Sequence, residues 1–119
     1  MLSLGSQTRV YVCQTVTDMR CSFEGLSHRA REVVKEDPLS GHYFLFFNRS
    51  RDKMKILYFD RTGFAIWYKE LERGTFTCPE KRELTAAELS CVLEGLEIAG
   101  IRRKKRFLLG FSAARTSAV

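Results

Sequence analysis

The spacing of apolar residues changes several times along the chain and predicts an alternation of strands and helices. Residues 9–14, "RVYVCQ", combine β-branched and aromatic side chains as a short strand does. From Asp18 to about Glu36, apolar residues recur at steps of three and four, which predicts an amphipathic helix with one face on a core. Thr17 or Asp18 is the expected N-cap, and Pro38 should end the helix.

The middle of the chain has the pattern of three strands. The run "HYFLFF" at 42–47 is continuously apolar, which is typical of a strand covered on both faces. Segments 53–59 and 64–71 flank "DRTG", a sequence suited to a tight hairpin turn. A loop of Arg61 and Thr62 alone would pair Phe59 with Phe64, Leu57 with Ile66 and Lys55 with Tyr68. The opposite face would then carry Met54, Ile56, Tyr58, Ala65, Trp67 and Lys69.

The last predicted elements are a short strand and a second helix. "TFTC" at 75–78 is a candidate strand, and Thr85 followed by Glu88 has the spacing of a capping box. Gly95 would break that helix late. The order β-α-β-β-β-(β)-α predicts an α+β fold, with an antiparallel β-meander of three to five strands packed against two helices.

Length and charge divide the chain unevenly. The 119 residues fit one domain, expected at 9–98, between a flexible leader at 1–8 and a basic, disordered tail at 99–119. The first 101 residues contain 14 cationic and 14 acidic side chains, so the net charge of +6 belongs to the tail. No stretch has the apolar length of a membrane span, and the leader lacks a signal-peptide core, so we expect a cytoplasmic protein.

Motifs for catalysis or metal binding are missing from the sequence. The four cysteines form no CxxC pair and no zinc-like group with the two histidines, so we expect reduced thiols, no metal and no cofactor. The aspartates at 18, 37, 52 and 60 have the positions of caps, loops and turns, and no P-loop, GxSxG or dinucleotide motif occurs. The sequence therefore does not support an enzyme.

Basic residues of the middle segment and of the tail are the candidate binding site. Beside the aromatic residues Trp67 and Tyr68 they could follow a phosphate backbone and stack on bases. The alternatives are that they protect a sheet edge or form a solvated chain end, and that Trp67 belongs to the core. The cations are Arg49, Arg51, Lys53, Lys55, Lys69 and Arg73 in the middle segment and Arg102, Arg103, Lys104, Lys105 and Arg106 in the tail.

Arg20 is unusual because it falls in the first turn of the predicted helix, where the helix dipole disfavours a cation. It could pair with Asp18 or with Glu24. We predict instead that it leaves the helix to bind a fixed acceptor, either in the sheet or on a partner's phosphate, with the internal acceptor preferred. Arg20 therefore joins the candidate nucleic-acid-binding residues.

A set of motifs in fixed order resembles one known family. "TDMR", "GL" (25–26), "DPLSGHYFLF", "NRSRDKMKIL", "DRTGF", "YKELERGTF" and "VLEG" are similar to the TnpB accessory protein, the second open reading frame, of the IS-sixty-six insertion-sequence family. The resemblance covers roughly residues 9–97, with Cys78 standing where the family tends to carry Trp.

The resemblance implies a bacterial, non-catalytic accessory protein of transposition, with the chemistry performed by a separate transposase. We expect it to assist assembly of the transposition complex, to contact DNA, and to associate with the transposase and other proteins of the same element. In that case it would be found with the nucleoid. The alternative is a module that bridges the transposase and another accessory protein without binding DNA.

Overall fold

The computed structural model describes residues 4–95, which form a five-stranded sheet with a helix on each face. The strands are β1 (Val10–Val12), β2 (Tyr43–Phe47), β3 (Lys53–Asp60), β4 (Gly63–Glu70) and β5 (Glu83–Leu84). Helix α1 (Phe23–Arg29) continues into a π-helical turn (Ala30–Val34), a 3-10 turn follows (Pro38–Ser40), and α2 spans Ala86–Leu93. The predicted α+β class and element order are confirmed.

The sheet has the strand order β4-β3-β2-β1-β5 and is mixed. Strands β2, β3 and β4 form the predicted antiparallel meander. Strand β1 is parallel to β2 because the connection between them crosses over through α1, and β5 is antiparallel to β1. The hairpin has the predicted register, with Phe59 opposite Phe64 and Lys55 opposite Tyr68.

The additional strand lies at Glu83–Leu84 and not in the predicted segment 75–78. That segment crosses the end of the sheet: the amide of Phe76 donates to the carbonyl of Arg51 at 2.7 Å, and the Phe76 ring is buried in the core. A single buried aromatic residue therefore takes the place of the predicted strand pairing.

Apolar side chains cover both faces of the sheet. On the α1 face the buried core residues are Tyr11, Cys13, Leu26, Ala30, Val34, Phe44, Phe46 and Leu57. On the α2 face they are Val10, Val12, Tyr43, Leu45, Phe47, Met54, Ile56, Phe76, Leu84, Leu89 and Val92. All five residues of β2 are buried, which confirms the prediction from its continuous apolar run.

Helix α1 begins later than predicted. Its N-cap is Ser22, so the assignment of Thr17 or Asp18 to that position is wrong. Residues 18–21 form a separate turn, in which the amide of Cys21 donates to the carbonyl of Asp18 at 3.0 Å. The helical segment ends at Val34, and Lys35 follows in the left-handed conformation with φ 69°.

Helix α2 begins with the predicted capping box. The amide of Glu88 donates to Thr85 Oγ1 at 3.1 Å, and the amide of Thr85 donates to Glu88 Oε1 at 2.9 Å. The Lys81 ammonium, 2.6 Å from the same carboxylate, and the Thr85 amide lower the pKa of Glu88. Gly95 follows the helix with φ +79°, as the predicted break requires. The predicted tail lies outside the described residues.

Candidate nucleic-acid interface

The topology gathers the candidate cations at one end of the sheet. Because β1 and β2 are parallel, the loops that follow them open at the same end, where β3 begins and β4 finishes. We call this region the basic end. It contains seven of the predicted site residues: Arg20, Arg49, Arg51, Lys53, Lys55, Lys69 and Arg73. The other five, Arg102, Arg103, Lys104, Lys105 and Arg106, lie outside the described residues.

The loop between β2 and β3 is held in shape by its own polar side chains. The Asn48 amide and the Ser50 hydroxyl each donate to Asp52 Oδ1 at 2.8 Å, and the amide of Lys53 donates to Asn48 Oδ1 at 3.1 Å. The Asn48 and Ser50 hydrogen bonds lower the pKa of Asp52, so the carboxylate stays charged at neutral pH. Arg51 adopts a left-handed conformation within this loop, with φ 60°.

A second loop is fastened to the first. The amide of Leu71 donates to the carbonyl of Asp52 at 2.8 Å, and the Phe76 amide bonds to the Arg51 carbonyl. Arg73 lies between these attachment points and is exposed, as Arg49 is in the first loop. Two joined loops therefore present three arginines at one end of the sheet.

These three arginines differ from the other cations of the basic end in having no partner. Within residues 4–95 the side chains of Arg49, Arg51 and Arg73 make no ion pair and no hydrogen bond. The ammonium of Lys53, in contrast, lies 3.7 Å from Asp52 and 3.5 Å from Glu70. The three unpaired guanidinium groups are the strongest local source of uncompensated positive charge.

Lys55, one of the cations predicted to follow a phosphate backbone, is not exposed. The residue is only 8% exposed, and its ammonium donates to the carbonyls of Met19 and Cys21 at 2.8 Å each. The same nitrogen lies 4.8 Å from the centroid of the Tyr68 ring. Lys55 therefore holds the turn before α1 against β3 and β4, and its charge is satisfied inside the protein.

Lys69 also has an internal contact. It is half-buried on the α2 face, and its ammonium donates to the carbonyl of Leu93 at 2.8 Å. Leu93 is the last residue of α2, where carbonyl groups lack partners within the helix and the dipole favours a cation. The lysine therefore caps the C-terminal end of α2.

Arg20 pairs with Asp18 and does not reach into the sheet, so the predicted internal acceptor is wrong. Its side chain is 91% exposed, with Nη2 2.7 Å from Asp18 Oδ2 and Nε 3.1 Å from both carboxylate oxygens. The Arg20 guanidinium and backbone amide lower the pKa of Asp18 to about 2. Because α1 begins only at Phe23, Arg20 does not oppose the helix dipole.

The sequence predicted that Arg20 would connect the turn before α1 to the sheet, but a different cation makes that connection. Lys55, which donates to the carbonyls on either side of Arg20, is the cation that crosses from sheet to loop. A signal was available, because the hairpin register places Lys55 on the same face as Leu57, beneath α1. Arg29 was also missed: its Nη2 donates to the Thr15 hydroxyl and, at 3.1 Å, to the carbonyl of Val16, which secures the beginning of the same loop.

Two aromatic side chains are exposed on the α1 face at this end. Tyr68 is 50% exposed and Phe23 is 47% exposed. Trp67 and Tyr58 lie on the other face, partly buried against the α2-side core, in keeping with the core interpretation of Trp67. Of these four rings, those of Tyr68 and Phe23 are the more exposed.

The described residues contain neither a metal-binding group nor a helix that could cross a membrane. Among residues 4–95, no three His, Cys, Asp or Glu side chains are arranged to hold a metal ion. No helix in that range has the length and apolar character needed to cross a bilayer. The four cysteines, all described, are free thiols.

Comparison with known proteins gives the family. A family model described as IS66 Orf2-like protein matches residues 8–103. The chain belongs to this family. A curated relative from Sinorhizobium fredii (strain NBRC 101917 / NGR234), called uncharacterized protein y4hO, is 37% identical over 101 residues, covering 82% of this chain and 88% of the relative. A second from the same strain, uncharacterized protein y4jC, is 27% identical over 100 residues, covering 81% and 86%. No solved structure matches significantly.

Membership confirms the resemblance seen in the sequence motifs. This IS66 Orf2-like chain is an accessory protein of an insertion sequence, associated with the transposition machinery of that element. The family match contains the whole basic end and reaches Arg102 and Arg103, while Lys104, Lys105 and Arg106 follow it.

Proposed function

We propose that this IS66 Orf2-like protein is a non-catalytic factor that assists assembly of the transposition complex and contacts DNA through its basic end. The observation that supports the proposal is the set of unpaired guanidinium groups of Arg49, Arg51 and Arg73 on two joined loops. Unpaired arginines on ordered loops are available for bidentate contact with phosphate oxygens. The proposed site of action is the bacterial cytoplasm, with nucleoid association through DNA.

The contacts divide into direct and indirect ones. Arg49, Arg51 and Arg73 are the proposed phosphate ligands. Lys53 forms ion pairs with two carboxylates, and Arg20 forms one with Asp18, so both would contribute less to phosphate binding. Lys55 and Lys69 would act through the fold, since their ammonium groups donate to backbone carbonyls.

The number of free arginines sets the expected salt dependence. Three phosphate contacts on duplex DNA correspond to a slope of log K against log salt of about −2.7. Such binding is weak and independent of sequence, which suits a factor that supports the DNA contacts of a transposase. The tail cations at 102–106 would add to the slope if they also contact phosphate.

The test is a salt titration of DNA binding by the full chain, followed by fluorescence anisotropy on labelled element ends. Arg49→Gln, Arg51→Gln and Arg73→Gln combined should lower the affinity and reduce the slope by about 2.7. The matched control combines Arg31→Gln, Lys35→Gln and Arg61→Gln, which removes three exposed and unpaired cations away from the basic end.

The two triple variants have the same net charge, so the comparison separates position from total charge. An equal loss of affinity in both would contradict a localised interface. A loss confined to the control would place the DNA contact elsewhere. Each triple variant is tested with the natural tail and with Gln at 102–106. The difference between the two gives the contribution of the tail.

The second candidate function is a protein-interaction module that bridges the transposase and another accessory protein without binding DNA. The exposed Phe23, Tyr68 and Arg20 side chains favour it, because aromatic residues and arginine dominate the energetics of protein interfaces. Co-purification of the transposase with this protein after nuclease treatment, combined with no DNA binding at low salt, would support it.

A further inference from the structure

Tyr68 is an exposed aromatic residue with a lysine ammonium over one face of its ring. The Lys55 ammonium lies 4.8 Å from the ring centroid, and that ammonium is itself fixed by the carbonyls of Met19 and Cys21. A cation over one face of the ring is attracted by the π-electrons, which favours this position of the ring. Half of the tyrosine remains exposed, so ring surface is accessible to the solvent at the basic end.

Two more exposed planar groups belong to the segment that Lys55 attaches to β3 and β4. Phe23 is on the same helical stripe as Leu26 and Ala30, three and seven residues later, so it points towards the sheet at the N-terminal end of α1. It nevertheless remains 47% exposed. The Arg20 guanidinium is held by Asp18 and is 91% exposed. We call Arg20, Phe23 and Tyr68 the planar cluster.

Planar groups contribute to DNA binding only when base faces are accessible. In a duplex the base faces are stacked on one another, so a protein contacts phosphates and base edges but not base faces. In a single strand each base can stack on an aromatic ring, and a basic groove that carries aromatic residues is the usual design of proteins that bind single strands. The basic end combines both features, because the three unpaired arginines and the planar cluster lie at the same end of the sheet.

We infer that the basic end binds single-stranded DNA in preference to duplex DNA, with a base stacked on Tyr68 and the phosphates on Arg49, Arg51 and Arg73. The inference rests on the proposed DNA contact and adds the class of DNA to it. Phe23 and Arg20 supply further surface for neighbouring bases. A partner protein on the same surface would instead need acidic groups opposite the three arginines.

The experiment compares two labelled probes on the full chain by fluorescence anisotropy at low salt. One is an oligothymidine of about 12 nucleotides, within the site size of a single small domain, and the other is a mixed-sequence duplex of the same length. Tyr68→Leu keeps an apolar side chain but removes the ring, and Tyr68→Phe keeps the ring. Tyr68→Leu should lower the oligothymidine affinity by about 5- to 150-fold, which corresponds to the loss of one stacked base. Tyr68→Phe should bind oligothymidine almost as tightly as the parent protein. Duplex affinity should be unchanged in both variants.

Phe23→Leu is a second variant that does not disturb the Lys55 contact, and thermal unfolding of each variant verifies its fold. Duplex binding that depends on the three arginines, with oligothymidine bound no more tightly and unaffected by Tyr68→Leu and Phe23→Leu, would overturn the inference and leave the proposed function standing. No binding of either probe at low salt would overturn both. Capture of the transposase that depends on Tyr68, without DNA binding, would assign the surface to a protein and also overturn the inference.

Discussion

Replacing Lys55 with methionine should destabilise the domain by releasing the turn before α1. Methionine keeps an unbranched, mostly apolar stem in the same space and removes the ammonium group. The substitution leaves the carbonyls of Met19 and Cys21 without their donor, and it takes away the cation over the Tyr68 ring. A loss of stability would therefore report on the ammonium contacts, with little change in packing volume.

The size of the effect follows from these contacts. Each hydrogen bond from a charged donor contributes about 1.5–3 kcal/mol, and a cation–π contact that is shielded from water contributes about 1–2 kcal/mol. The cost of burying the ammonium, several kcal/mol in the opposite direction, disappears in the variant. We expect the free energy of unfolding to fall by about 2–4 kcal/mol, which lowers the Tm of a domain of this size by roughly 10–25 °C.

Urea denaturation of the full chain, followed by far-UV circular dichroism, measures the change in the free energy of unfolding. Lys69→Met is the matched control: its half-buried ammonium donates to one carbonyl, that of Leu93, so the expected loss is about 1 kcal/mol. A loss of less than about 0.5 kcal/mol for Lys55→Met would refute the reasoning, because it would equal an ordinary surface substitution.

Three further predictions concern the helix caps, Asp18 and a turn. Thr85→Ala should lower the free energy of unfolding by about 1 kcal/mol, whereas Ser22→Ala should change it little because the Ser22 side chain makes no cap hydrogen bond; equal effects in denaturant titrations would contradict this. Because the pKa of Asp18 is lowered to about 2, its ionisation stabilises the folded state above the ordinary pKa of 3.8, and that contribution is lost as the pH falls towards 2. Carboxyl carbon NMR should show the low midpoint, and Arg20→Ala should raise it towards 3.8; an unchanged midpoint would exclude the pair as its cause. Gly41→Ala should cost about 1 kcal/mol in thermal unfolding, since Gly41 has φ +88°, and an unchanged Tm would argue against that conformation.

The elements that the sequence predicts correctly are those with local determinants. The "DRTG" turn sets the register of the β3–β4 hairpin, and the Thr85–Glu88 capping box marks the beginning of α2. The apolar run of β2 indicates burial on both faces. In each case residues within a few positions of one another carry the whole signal.

The start of α1 and the composition of the site depend on contacts between distant residues. Asp18 is a good N-cap by local rules. Its turn, however, is stabilised by Lys55, which donates to the carbonyl of Met19 from 36 residues further along the chain. The grouping of Arg20 with Arg49 and Arg73 depends on the parallel pairing of β1 with β2, which periodicity does not reveal. The charge of Lys55 suggests exposure, although the hairpin register places the residue on the same face as Leu57, beneath α1.

The buried ammonium of Lys55 also makes the turn before α1 and the β3–β4 hairpin a single cooperative unit. If residues 18–22 separated from the sheet, the Lys55 ammonium would lose both of its acceptors beneath α1. Opening of the turn by itself is therefore unfavourable. Amide hydrogen exchange in this turn should therefore occur through the same opening as exchange in β3. The turn is therefore ordered before a ligand binds, and binding there would cost little conformational entropy of the protein.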